Sequence, residues 1–369
     1  MGNIFNILTS YSAAIVIVVL SNIALAMANE ELLNVVVIYG FTTLIGSNFL
    51  SLQETFHGSK SIDVCLIHYI IVTTTILVGT LILIYYIFGE FIGIQHLLLV
   101  CTSYILYINI AILRFKGLFL YSFLLILCSH LLLIYTLEVE SLIGTFFVAI
   151  FLTIHALLLY KIYKNYSKGR VVTLHDLYIK IKYNFYLYIN SIVFGELDRY
   201  IIAITIGPVM FAIYYSILSI ISLIPNVLNT NFIPMINKIK KRKLRIKEIT
   251  STKHYYLHSF RIIALVSLVF FPVYYDNYAL AVLVFALFVK YEMVIGSFET
   301  FLLLYVKGKV KLINTLTLKI NSINMLLMLC LFITPSIYLI VIAKLLSSVP
   351  LYLVVRRSIL KNQGAISNS

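Results

Sequence analysis

Apolar residues run along this chain in blocks about twenty residues long, separated by short polar stretches, a block length that spans a bilayer as an α-helix. The blocks lie at 4–28, 32–50, 64–88, 91–113, 117–136, 141–160, 183–206, 208–235, 255–275, 278–305, 312–334 and 336–355. Two divisions rest on backbone chemistry. Gly207-Pro208 separates two long runs with a tight turn, and Pro335 separates two more, since proline lacks the N–H that a continuing helix needs. The expected fold is an all-α integral membrane protein with about twelve transmembrane helices.

The polar stretches alternate in charge. With the amino terminus in the cytoplasm, the inner connections carry Lys60; Arg114 and Lys116; Lys161 to Lys182; Lys238 to Lys253; Lys307, Lys309 and Lys311; and the tail carries Arg356, Arg357 and Lys361. The opposite connections carry Glu30, Glu31, Glu90, Glu138, Glu140 and Asp276, with no Lys or Arg. That is the positive-inside pattern, and a wrong span count would scramble it. Both termini are therefore expected in the cytoplasm. The expected plan is a lobe at 1–160 with spans one to six, a basic cytoplasmic loop at 161–182, a second six-span lobe at 183–355, and a tail at 356–369. Ala24-Leu25-Ala26-Met27-Ala28 has the small residues of a signal-cleavage site, but no Lys or Arg precedes it, so the first span is read as retained.

Composition narrows the class. The chain of 369 residues is 62% hydrophobic and only 11% charged, against about 45–50% and about 25% in soluble domains. The net charge of +14 then belongs to loops at an anionic membrane face rather than to a nucleic-acid surface, and Lys240-Lys241-Arg242-Lys243 is read as a topology signal. With no Trp in the chain, Tyr must supply the interfacial aromatics. Cys65, Cys101, Cys128 and Cys330 sit in apolar runs without C-x-x-C spacing and read as buried small hydrophobes. His254 and His258 are four apart at the inner end of span nine, with no third ligand in view and Tyr255 and Tyr256 beside them. There is no nucleotide-binding P-loop and no H-E-x-x-H motif. No enzyme, cofactor or metal is expected.

The informative residues are charges inside the spans, each costing about 2.5–3.5 kcal/mol on insertion scales. The first six spans hold none, whereas the last six hold nine: Glu196, Asp198, Arg199, Arg261, Lys290, Glu292, Glu299, Lys319 and Lys344. Glu196 and Arg199 share a helix face and could pair, which leaves Asp198 to find a partner on another helix or in a water-filled cavity. Glu292 and Glu299 share a face of span ten, with Lys290 nearly opposite Glu292. Arg261 is near enough to the inner end to snorkel. Helical polar stripes accompany these charges: Ser216, Ser219, Asn226 and Asn229 in span eight, and Asn314, Thr317, Asn321 and Asn324 in span eleven. Pro225 and Pro234 could bend span eight around a cavity. Single residues of this set serve equally well as packing ion pairs or helix–helix glue; the set together reads as a polar cavity, suited to a substrate with an anionic head and a lipid tail.

From Asp198-Arg199-Tyr200-Ile201-Ile202 through Gly207-Pro208 and Tyr214-Tyr215-Ser216 to Pro234, the chain resembles the bacterial O-antigen and capsule repeat-unit flippases, the polysaccharide-exporter branch of the multidrug/oligosaccharidyl-lipid/polysaccharide superfamily. The motif-bearing stretch runs from Glu196 to Lys238, about 40 residues. The resemblance implies alternating access in the bacterial inner membrane, carrying undecaprenyl-pyrophosphate-linked repeat units to the periplasmic face with H+ or Na+ as coupling ion, in partnership with a polymerase of the same pathway. By that analogy Arg199, Lys290, Lys319 and Lys344 meet the pyrophosphate or acidic sugars, and Asp198, Glu196, Glu292 and Glu299 are candidates for ion coupling.

Two other functions compete. An O-antigen polymerase or ligase is also polytopic and basic inside, but needs a large external loop that these short outer connections lack. A drug or metabolite exporter of the same superfamily would hold one or two carboxylates and fewer cations. A scaffold without transport leaves Lys290, Lys319 and Lys344 in mid-span unexplained.

Overall fold

The computed structural model describes residues 197–228 (except 226), 246–306 and 322–347 in the carboxy-terminal half, and 15–28 (except 17), 120–127 and isolated positions in the amino-terminal half. The chain divides into two compact units, Met1–Ile192 and Val193–Ser369. Among the described residues every regular element is helical.

In the first unit, residues 18–26 are helical, with Leu20, Ser21 and Ala24 turned inward and Val19 and Ile23 exposed. Residues 120–127 repeat the arrangement, burying Ser122 and Ile126 while exposing Leu120, Tyr121, Leu124 and Leu127. The small or polar Ser21, Ala24 and Ser122 thus lie inside, beside Leu20 and Ile126, while large apolar side chains face outward, as helices packed in lipid allow.

Six longer helices, besides a short helical stretch at 223–228 (226 not described), make up the described part of the second unit: α1 (Leu197–Thr205), α2 (Pro208–Ile221), α3 (Ile246–Tyr274), α4 (Ala279–Val306), α5 (Ser322–Phe332) and α6 (Ile337–Ser347). Their ends follow from local chemistry. Between α1 and α2 the backbone at Gly207 has φ 117, a conformation that a Cβ disfavours, and Pro208 then opens α2 with its φ already helical. The α2 helix stops at Ile221 because Pro225, four residues on, has no N–H for the Ile221 carbonyl; the chain turns at Ser222 and resumes helix at 223–225. Between α3 and α4, Asp276 takes φ 46 and the Asn277 side-chain oxygen accepts the Ala279 N–H at 3.1 Å, capping the helix that follows. The α5 helix tightens into a 3-10 turn at Cys330–Phe332 ahead of Pro335, and Ser336 Oγ accepts the Tyr338 N–H at 3.3 Å to start α6.

Helix α2 packs against α1, α3 and α4, and α3 packs along α4. The core they share includes Ile202, Tyr214, Ile217, Phe260, Leu283 and Leu287. The rings of Phe260 and Phe288 stack at 5.6 Å across the α3–α4 hairpin.

The outer face of α3 shows its solvent. Ile262, Leu265, Val266, Val269, Phe270 and Val273 recur at three- and four-residue steps and are all at least half exposed. An aqueous surface would not hold such a stripe; a bilayer would. Exposed tyrosines close the stripe at both ends, Tyr255 below and Tyr274 above. At 1.5 Å per residue they are about 29 Å apart, the thickness of a hydrocarbon core. Lys253–Tyr274 and Ala279–Glu299 are each long and apolar enough to cross a membrane.

Cys330 is exposed, which corrects the expectation that it is buried. Its neighbours Leu329, Phe332 and Ile333 are exposed as well, so a small apolar thiol is served by a lipid-facing surface as well as by a core. Cys65, Cys101 and Cys128 lie outside the described residues.

Val266 stands near the middle of the lipid-facing stripe. Val266→Lys should add about 2.5–3.5 kcal/mol to the insertion free energy of α3 and sharply lower membrane-integrated yield. At an exposed aqueous site the same change is worth within about 0.5 kcal/mol, so unchanged integration would contradict the lipid assignment.

Candidate functional site

Asp198 and Tyr214 flank the Gly207-Pro208 turn, on α1 and α2. Each is within about 14 Å of that turn along its helix axis, at 1.5 Å per residue, and Lys344 lies about 10 Å along α6 from its start near Pro335. The hairpin and α6 thus bring three polar side chains to one buried point.

The Lys344 ammonium donates to Asp198 Oδ2 across a sequence separation of 146 residues. The Tyr214 hydroxyl donates to the same oxygen at 3.2 Å, and the Arg199 backbone N–H donates to Oδ1 at 2.9 Å. Lys344 and Tyr214 are wholly buried and Asp198 is 3% exposed. The ammonium also stands 5.8 Å from the centre of the Tyr214 ring, and the Arg199 guanidinium lies over Tyr215 at 4.8 Å. Asp198 therefore finds the partner from another helix that its position on span seven requires.

Two unlike charges at 4 Å attract by on the order of 4 kcal/mol at the effective dielectric that describes protein sites. Desolvation offsets much of that, so the pair matters mainly through what its loss would leave: an uncompensated charge in the bundle. Closed, the pair presents no net charge. Opened, it offers a carboxylate able to take a proton and an ammonium able to meet an anion.

The other expected site residues divide among separate places. Glu292 accepts from Arg261 Nε at 2.9 Å, and Arg261 Nη2 donates to the same oxygen. Glu299 pairs with Lys253 at 3.2 Å. These pairs are rungs of one antiparallel ladder on the α3–α4 hairpin, so the two glutamates do share a face, and each has a cation on the preceding helix. Arg261, expected to snorkel, is half-exposed and also holds its neighbour helix through Glu292. Lys290 is half-buried with its ammonium 5.5 Å from the centre of the Tyr291 ring. Ser216 and Asn324, from the two polar stripes, are buried. Glu196 and Lys319 lie outside the described residues, as do Asn226, Asn229, Pro234, Asn314, Thr317 and Asn321.

Sequence reasoning missed the roles of Tyr214, Tyr215 and Lys253. For Tyr214 a signal existed, since a tyrosine at similar depth across a two-residue turn from a buried aspartate is placed to donate to it. Lys253 reads as the last residue of a basic loop, and only the length of α3 shows that it belongs to a helix facing Glu299.

Asp198→Asn and Lys344→Met should each destabilise the protein by about 3–5 kcal/mol, while the double variant regains most of the loss. Arg261→Met, at a half-exposed pair, should cost less than about 1 kcal/mol. Unfolding in detergent measures all four; additive losses at Asp198 and Lys344 would mean that the two do not pair.

No protein-family model matches this sequence, and no curated protein matches it. Among solved structures it is similar to a MATE crystallised in the straight conformation, at 14% identity and a TM-score of 0.56, over 97% of this chain and 95% of that one. At that identity the likeness is one of fold. With the lipid-facing stripe of α3, it makes the chain an all-α, multi-pass membrane protein of MATE-like fold.

Proposed function

We propose that this chain is a flippase of the bacterial inner membrane. It carries undecaprenyl-pyrophosphate-linked O-antigen or capsule repeat units from the cytoplasmic to the periplasmic face by ion-coupled alternating access, and it is not an enzyme. In this reading twelve helices form two six-helix lobes, with both termini in the cytoplasm, and a polymerase of the same pathway receives the product. The observation that carries it is the buried Asp198–Lys344–Tyr214 cluster with Arg199 beside it. A membrane protein retains such charges where ions or charged substrates pass. The resemblance of the Asp198 to Pro234 segment to the repeat-unit flippases supports the substrate, and the MATE-like fold supports a transporter of the same superfamily.

The site geometry refines the roles. Glu292 and Glu299 sit in partly exposed pairs along one hairpin, whereas Asp198 is buried and paired between α1 and α6, which favours Asp198 as the coupling carboxylate of the described set, with Glu196 a second candidate. Lys344 is the partner that Asp198 releases, and Arg199, Lys290 and Lys319 meet the pyrophosphate or acidic sugars. When the pair opens, Asp198 is neutralised by the coupling ion and Lys344 is freed towards the anionic head.

A second reading, export of a drug or metabolite, draws on the fold likeness to a MATE. The two differ in what accumulates. Cells lacking the gene should hold single lipid-linked repeat units on the cytoplasmic face and show bare surface lipid. Normal surface polysaccharide with raised drug sensitivity would favour the exporter, and surface lipid capped by single units would favour a polymerase. Arg199→Ala should abolish complementation at normal membrane level; undiminished surface polysaccharide would remove Arg199 from the substrate site.

A further inference from the structure

The contacts around Asp198 bear on which ion it could hold. Every described group on its carboxylate is a hydrogen-bond donor: the Lys344 ammonium and the Tyr214 hydroxyl on Oδ2, and the Arg199 N–H on Oδ1. Hard metal cations are held by oxygen lone pairs, and those of the Asp198 carboxylate are already taken up by an ammonium and a hydroxyl on Oδ2 and an amide on Oδ1. The place beside Oδ2 that a bound monovalent cation would take is filled by an ammonium, itself a monovalent cation, fully buried and fixed to α6. The Arg199 guanidinium on Tyr215 adds further positive charge nearby. Tyr214 on α2 and Lys344 on α6 donate to the Asp198 carboxylate, Arg199 next to it on α1 turns its guanidinium onto Tyr215, and Cys330 on the 3-10 turn against α1 is exposed.

We propose that Lys344 is a tethered cation standing where a transporter driven by sodium would hold the ion, so that Asp198 excludes sodium and couples to protons alone. This rests on the reading of Asp198 as the coupling group. As the pair opens on one side of the membrane, Asp198 takes a proton from water. On the other side it returns that proton to water and Lys344 closes onto the carboxylate again. One proton crosses per cycle, and the ammonium, bound to the chain, crosses nothing.

The test is sodium binding by the purified full-length protein, read as the change in melting temperature between sodium chloride and choline chloride at equal ionic strength. The wild type should show no sodium-specific shift. Lys344→Ala empties the place of the ammonium and leaves Asp198 to recruit an ion. It should gain a sodium-specific rise of about 2 °C at roughly ten times the dissociation constant. Lys344→Ala with Asp198→Asn should lose that rise. A wild-type shift abolished by Asp198→Asn would overturn the proposal, as would a folded Lys344→Ala without a sodium response. Should Lys344→Ala fail to fold, the comparison of wild type with Asp198→Asn decides, because sodium bound at Asp198 beside an intact Lys344 contradicts it and no shift in either supports it. The readout is binding, so it stands apart from whether the substrate is a lipid-linked glycan.

Discussion

A buried carboxylate in a membrane protein must be answered by a buried cation or stripped of its charge, and that constraint organises the carboxy-terminal unit. Asp198 and Lys344 answer each other across most of the length of the unit, and Tyr214 completes the contact from the helix between. The partners stand on α1 and α6, so the pair ties those two helices together. Such a device needs no large cavity: it needs only that the pair, when closed, be dry and neutral.

The ion pairs of the α3–α4 hairpin serve differently. Lys253–Glu299 and Arg261–Glu292 are partly exposed, and the hairpin also has the stacked Phe260 and Phe288 and a continuous apolar seam. Exposed pairs contribute little energy, so these act chiefly as register marks between two long antiparallel helices. The unit thus has a lipid-facing α3–α4 hairpin, against which α2 packs, while α1, α2 and α6 hold the buried charges. Side-chain burial, rather than charge alone, distinguishes the Asp198–Lys344 pair from those of the hairpin.

Much of this was legible in the sequence, for identifiable reasons. The turns at Gly207-Pro208 and Pro335 were readable because glycine and proline act on the backbone locally, and the one at Asp276 because its charge interrupts two apolar runs. The charges of the second half stood out because mean apolarity is high around them. The pairing was not readable. Helical spacing places Asp198 on a face but cannot say which distant helix presents a cation there, and Lys319 and Lys290 were equal candidates with Lys344. Cys330 was misjudged for a related reason, since in lipid an apolar residue gains as much outside as inside. The role of Lys253 depended on where α3 begins, and helix ends are the least determined feature of a pattern.

The central claim is that Asp198 is an ionised carboxylate held by Lys344 in the interior of the second unit. Isotope-edited infrared spectroscopy of the protein labelled with carboxyl-13C aspartate, with Asp198→Asn subtracted, isolates that one group. The account predicts an ionised carboxylate band at neutral pH whose position changes when Lys344 is replaced by Met. A protonated carboxyl band in the wild type, or an ionised band indifferent to Lys344, would contradict it.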